Sequence, residues 1–220
     1  MEIARSDYEI RDRIQASVSR EFRFRSNYVT TVSLYYEGRS GQPFSYVYSN
    51  DLNNDGFTSN DLVAVPSGPS DARFDFSGLS AAQQTSYFNF INSSGLYKYA
   101  GSYAPRNAFF TPWQNRLDLR FVQDLPIYRG FKVELFADFL NFGSWIDKHL
   151  FNYIEEMNTS TSNSSQIRAL GSATYTAAGL VKPTVTLNAD GSVNFPSTSL
   201  IAINNNDTRW KVQAGVSLKF

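Results

Sequence analysis

The sequence predicts an all-β chain: a segment of an antiparallel transmembrane β-barrel with two long extracellular loops. Three observations predict it. Five segments alternate apolar and polar residues with a period of two, as strands with one dry and one wet face do. Each spans about ten residues or more, which suits a tilted membrane strand better than a soluble one of about five or six. The connections alternate between a few residues and roughly 60, like the periplasmic turns and extracellular loops of outer-membrane barrels.

The first strand is expected over 10–25. There Ile14, Ala16, Val18, Phe22 and Phe24 alternate with Arg13, Gln15, Ser17, Ser19, Glu21 and Arg23. A polar break at Arg25-Ser26-Asn27 leads into the second, over 28–39, with Val32, Leu34 and Tyr36 on one face. The third, over 114–126, sets Leu117, Leu119, Phe121 and Leu125 against Arg116, Asp118, Arg120 and Asp124. A short turn-like connection leads to the fourth, over 130–142. Phe131, Val133, Leu135, Ala137 and Phe139 share its apolar face, and Lys132, Glu134 and Asp138 lie opposite. Phe136 breaks the pattern. The fifth, over 208–220, is the clearest: Trp210, Val212, Ala214, Val216, Leu218 and Phe220 alternate with Lys211, Gln213, Gly215, Ser217 and Lys219.

Residues 50–113 and 143–207 are then the two long loops. In the first, Ser80-Ala81-Ala82-Gln83 reads as a capping box that opens a short helix ending near Gly95. In the second, the polar run Asn158–Ser165 reads as solvated.

Composition excludes several function classes. The chain has 220 residues, with 20 Lys+Arg against 20 Asp+Glu, so it lacks the basic surplus of a nucleic-acid binder. It has no cysteine, which removes disulfides, thiolate metal sites and cysteine nucleophiles. Its one histidine, His149, has no nucleophile motif around it, and no acid–base constellation marks an enzyme. No stretch approaches 18 uninterrupted apolar residues, and the N-terminus shows no apolar h-region. Neither observation speaks against a barrel, whose strands never look hydrophobic in a window average. Single-chain bacterial barrels use an even number of strands, eight at least, and an open edge in lipid leaves backbone groups unsatisfied. The expectation is therefore a C-terminal part of a larger barrel, with Met1 not the native start.

Several runs carry a resemblance. They are Tyr36-Glu37-Gly38-Arg39-Ser40-Gly41-Gln42-Pro43-Phe44-Ser45-Tyr46-Val47-Tyr48, then Asp51-Leu52-Asn53-Asn54-Asp55-Gly56 with Asn60-Asp61-Leu62, and Asn115-Arg116-Leu117-Asp118-Leu119-Arg120. With the segment Phe136–Trp145, they resemble the Oar-like TonB-dependent receptors common in Bacteroidetes. The chain departs from the family's Asn-rich stretch at Gly143-Ser144-Trp145-Ile146-Asp147. The resemblance implies a roughly 22-stranded outer-membrane barrel plugged by an N-terminal domain. This chain would supply about its last five strands. It also implies outer-membrane lipid as surroundings and an unknown nutrient as ligand. The barrel-assembly machinery would read the strand ending in Phe220, and the TonB complex would act only through the missing N-terminal part.

The strongest chemical motif is Asp51, Asn53, Asp55, Gly56, Ser59 and Asp61. Oxygen side chains at alternate positions followed by glycine are what an EF-hand-type calcium loop needs, and the Phe57 carbonyl and Ser59 could add two ligands for Ca2+. The closing acid, Asp61, sits at the eleventh position where the twelfth is expected, and Leu62 occupies that place. The same residues also suit a turn rich in Asx geometry. The alternating charges of the third and fourth strands read as cross-strand ion pairs inside an aqueous lumen, or as a substrate path. Tyr97, Tyr99 and Tyr103 fit sugar stacking, loop packing, or an interfacial girdle with Trp113 and Trp145. Two readings of function follow: part of a nutrient transporter of the bacterial outer membrane, and an extracellular calcium-dependent adhesin or carbohydrate-binding module.

Overall fold

The period-two segments become one antiparallel sheet. The computed structural model describes residues 4–24, 28–58, 60–128, 131–151, 156–157, 166–168, 170–194, 201–202 and 209–219. It is mostly β, with antiparallel sheets and few helices. The long strands are β1 (Arg13–Phe24), β2 (Tyr28–Arg39), β5 (Gln114–Tyr128), β6 (Phe131–Leu140) and β12 (Lys211–Lys219). They pair in the order β1-β2-β5-β6-β12, so chain neighbours are sheet neighbours and β1 and β12 are the edges. Among the described residues this sheet does not close into a barrel.

The strand positions agree with the sequence reading to within a few residues, and the departures have local causes. β6 stops at Leu140 because Asn141 takes a left-handed backbone, φ 52°, which a strand cannot hold. β5 continues past Pro126 to Tyr128 through a register shift, as a residue without an N–H requires. The Arg25-Ser26-Asn27 break and the terminal Phe220 lie outside the described residues.

Phe136, the exception to the alternation, has a packing reason. It lies directly opposite Gly215 of β12. A Cβ on Gly215 would fall 2.4 Å from the Phe136 ring, so the glycine leaves the space the ring fills. Arg120 sits over the same ring, 5.2 Å from its centroid. An aromatic covering a strand glycine is a known way to stabilise a sheet where the glycine alone would weaken it.

The chain divides into two compact units. The sheet belongs to the one formed by Ile10–Gly41, Thr111–Glu155 and Ala202–Phe220. The other comprises Met1–Glu9, Gln42–Phe110 and Glu156–Ile201, and it holds most of what the sequence reads as loop. Its elements are short. β3 (Pro43–Tyr46) pairs antiparallel with β4 (Phe109–Phe110) and parallel with β8 (Gln166–Ile167). β9 (Ser172–Tyr175) and β10 (Val181–Thr184) form a hairpin. β7 (Glu156–Met157) and β11 (Ile201–Ala202) form a further two-stranded pair.

This unit is built on a core, not on solvated loop. Tyr46, Tyr48, Val63, Val65, Tyr87, Leu96, Ile167 and Leu170 are all buried in one cluster. Tyr46 stands edge-on to Phe44 at 5.4 Å and to Phe109 at 4.7 Å, within the range where aromatic pairs attract. The expected helix is α1 (Ala81–Ser93), and its capping box is complete: Ser80 Oγ accepts from the Gln83 N–H, and Gln83 Oε1 accepts from the Ser80 N–H. Tyr87 and Ile91, four apart on one face, enter the core. Gly95 follows the helix at φ 82°, the left-handed exit the sequence implies. The polar run Asn158–Ser165 lies outside the described residues.

Asp71 ties part of this unit together. Its two oxygens grip Arg73, Oδ1 accepting from Nε at 3.0 Å and Oδ2 from Nη2 at 2.6 Å. Oδ2 also accepts the Ser67 N–H. The Arg73 guanidinium and these N–H donors hold the Asp71 carboxyl well below the usual carboxylate range.

Two outcomes are expected. Gly215→Val should lower the unfolding free energy read from denaturant melts by about 1–3 kcal/mol, the usual cost of overpacking, and Phe136→Ala in the same chain should restore part of it. A carboxyl with a depressed folded-state pKa adds stability that is complete above its unfolded value, about 3.9, and is lost as the pH falls below it. Near-ultraviolet circular dichroism of the tyrosine-rich core should therefore fall in acid, and Asp71→Asn should flatten that part of the profile.

Candidate functional site

Antiparallel pairing in register keeps the two faces of the sheet separate across all five strands. On one face, Val18 lies opposite Leu34. Leu34 lies opposite Leu119, and Leu119 opposite Phe139. Phe139 lies opposite Val212. One row down, Arg20 of β1 lies opposite Val32, and Val32, Phe121, Ala137 and Ala214 continue the chain of partners. The face is therefore mostly apolar, interrupted by Arg20 and by the paired Thr30 and Gln123. Many of its side chains are exposed in this unit: Val216 at 70%, Val18 at 63% and Leu218 at 57%, together with Ile14, Phe22, Phe24, Phe121 and Leu135. A soluble monomer seldom exposes an apolar area this extensive.

Aromatic groups lie along the end of the apolar face where the long connections attach. Trp113 stands over Gly38, where a Cβ would come 3.0 Å from its Nε1. Phe139, Phe142 and Trp145 form a ring chain with centroid spacings of 6.4 and 5.6 Å. Trp210 precedes β12 and is exposed. The opposite end carries exposed Phe24, Tyr28 and Phe131.

The other face is polar and laced with ion pairs. Arg13 Nη2 meets Glu37 Oε1 at 2.9 Å, Arg116 Nη2 meets Asp118 Oδ2 at 2.8 Å, and Arg120 Nη1 meets Asp138 Oδ2 at 3.0 Å. Lys219 pairs with Glu134. Ser19 and Ser33 hydrogen-bond across the strands at 2.9 Å. Of the partners expected between the third and fourth strands, Arg120 and Asp138 pair across them, whereas Arg116 pairs with Asp118 within β5 and Asp124 lies opposite another acid, Glu134.

At the end near the long connections, this polar face holds a groove of about 420 Å³. Among the described residues, Arg13, Arg39, Arg116, Arg209 and Lys211 line it, with Glu37 as the one carboxylate. The sequence reading assigned Arg13, Arg116 and Lys211 to polar faces one strand at a time and did not gather them with Arg39 and Arg209. A signal was present: each basic residue sits at the β1 start, the β2 end, the β5 start or the β12 start.

In the other unit, the motif from Asp51 to Asp61 forms a self-satisfied turn. Asp51 accepts the N–H groups of Asp55 at 3.1 Å and Gly56 at 2.8 Å. Asn53 Oδ1 also accepts the Asp55 N–H, and Asp55 Oδ1 accepts the Phe57 N–H. That Phe57 N–H, with the Asn60 and Asn53 amides, lowers the Asp55 pKa. Gly56 sits at φ 91°, which explains the glycine. Asp61 does not join the turn. It is buried, and its Oδ2 accepts the Leu52 N–H at 2.6 Å. Ser59 lies outside the described residues. The described Asp, Glu and His residues include no group of three placed to hold a metal ion. Asp51, Asn53 and Asp55 therefore fit a calcium ion, which wants six to eight oxygens, only in part.

The remaining candidates separate. Tyr99 packs edge-on to Phe109 at 5.7 Å, whereas Tyr97 and Tyr103 are exposed. His149 follows a short turn in which Asp147 Oδ1 accepts its N–H at 2.8 Å.

Asp51→Ala removes the acceptor of two turn N–H groups, and it should cost about 1 kcal/mol even in the presence of EDTA. Thermal melts in EDTA check this; an unchanged midpoint would show that the turn does not depend on Asp51. No protein-family model matches the chain, and no curated protein or solved structure matches it either.

Proposed function

We propose that the chain is part of a TonB-dependent receptor of the bacterial outer membrane that takes up a nutrient ligand. The observation that carries the reading is the sheet with one mostly apolar face and one ion-paired face, kept apart by register. A barrel wall needs this arrangement, with the apolar side in lipid and the polar side facing an aqueous lumen. Three further features support it. The strands run to 12, 12, 15, 10 and 9 residues. Short and long connections alternate along the chain. Tryptophans lie at one end of the apolar face, as interfacial belts do. The step from barrel to TonB-dependent receptor rests on the resemblance of Tyr36–Tyr48 and Asn115–Arg120 to the Oar-like family.

A second reading, a calcium-dependent adhesin or carbohydrate-binding module, is favoured by the Asp51–Asp55 turn with its left-handed Gly56. On that reading millimolar calcium raises the melting midpoint, and Asp55→Ala abolishes the rise while its EDTA midpoint is accounted for separately.

The test of the first reading compares neighbouring residues. Val216 lies on the apolar face and Ser217 on the polar one, opposite Leu135 and Glu134. Val216→Lys should weaken insertion of the full chain into lipid vesicles by about 2–4 kcal/mol if the site lies near the midplane, and Ser217→Lys should be mild. Equal effects, or a wild-type chain that stays out of vesicles, would sink the reading.

A further inference from the structure

We propose that the groove on the polar face binds a soluble, multiply charged anion bearing phosphate or carboxylate groups. The inference deepens the transporter reading, on which it rests for one point: that this face is the aqueous one.

The first argument is charge segregation. The chain as a whole is balanced, 20 basic residues against 20 acidic. Among its described lining residues the groove is not: Arg13, Arg39, Arg116, Arg209 and Lys211 stand against Glu37. Even with Asp118 counted beside Arg116, the cations outnumber the acids. A cleft lined by one sign of charge focuses its field and concentrates the opposite ion.

The second argument is register. Arg13 and Arg39 are direct cross-strand partners. Like charges directly opposite destabilise a sheet, so this placement runs against the fold's own stability. The sheet tempers the conflict locally. Arg13 leans to Glu37, and Arg39 Nε donates to the Oε1 of buried Gln114 at 2.8 Å. That bond orients the guanidinium. An arginine fork presents paired N–H donors that match the oxygens of phosphate or carboxylate, which is why the ligand class follows from the residue type. Across the groove Lys211 adds a point charge, one strand beyond Leu140 in register.

The third argument is size. About 420 Å³ lies within the range of small-ligand sites, and it suits an anion with several charged groups better than a single ion.

The test uses the full chain in detergent micelles and inorganic tripolyphosphate as the probe, titrated by calorimetry. Wild type should bind saturably, with affinity that falls as salt rises. Arg39→Gln combined with Arg209→Gln should weaken binding by about tenfold or more, because charge-assisted contacts are lost. Arg23→Gln is the control: it lies at the other end of β1, paired with Glu21, and should change binding less than about twofold. Unchanged far-ultraviolet circular dichroism confirms that each variant is folded. A second arm replaces the probe with phosphatidic acid in mixed micelles at equal phosphate. Absence of saturable tripolyphosphate binding, equal loss in the Arg23 control, or binding in the phosphatidic acid arm alone would each overturn the proposal. Failure here is distinct from failure of the transporter reading, because vesicle insertion is measured separately with Val216→Lys.

Discussion

Register is the constraint on which the sheet unit depends. In a strand the side chains alternate, so a slip of one residue sends every apolar group to the other face. Here the pairings from β1 through β12 keep Val18, Leu34, Leu119, Phe139 and Val212 in one row. The ion pairs on the reverse face enforce the same register. Arg120 reaches Asp138, its direct partner, and a slipped strand would set these charges among leucines. Each exposed pair contributes little alone. Together they make the alternative registers costly, which matters more for specificity than for total stability.

Two exceptions to the alternation turn out to be supports. Phe136 sits on the polar face because Gly215 makes room for it. Gly38 sits on the apolar face beneath Trp113 and Tyr36, where any side chain would collide. In both places a small residue on one segment and a ring on another form a single packed element.

The second unit is stabilised differently. It has few long ladders, and its apolar residues come in short runs such as Leu62–Val65. Its order comes from buried rings around Tyr46, Tyr48 and Tyr87 and from carboxylates that accept backbone N–H groups. Burial pushes the Tyr46 hydroxyl up to about 12, so it stays protonated at any physiological pH. Asp51 and Asp71 each use side-chain oxygens to close a turn, and Asp61 accepts the Leu52 N–H. Asp51 and Asp61 belong to the run that the sequence presents as a metal motif.

What the sequence by itself determined was whatever depends on local spacing. Period-two alternation located all five long strands, since a strand's two faces are set by residue parity. The helix could be placed from Ser80, Gln83 and Gly95, since a cap is a contact three or four residues long. The tertiary structure decided the rest, because those features join residues far apart in the chain. Arg13, Arg39, Arg116 and Lys211 become one groove only when four strands align in register. Residues 42–110 become a core instead of a loop only when Ile167 and Leu170 pack against Tyr46 and Tyr48 from more than a hundred residues away. Asp61 sits one place short of the closing position of a calcium loop, and it accepts the Leu52 N–H in the core. A buried N–H needs an acceptor, and no spacing rule records which one it finds.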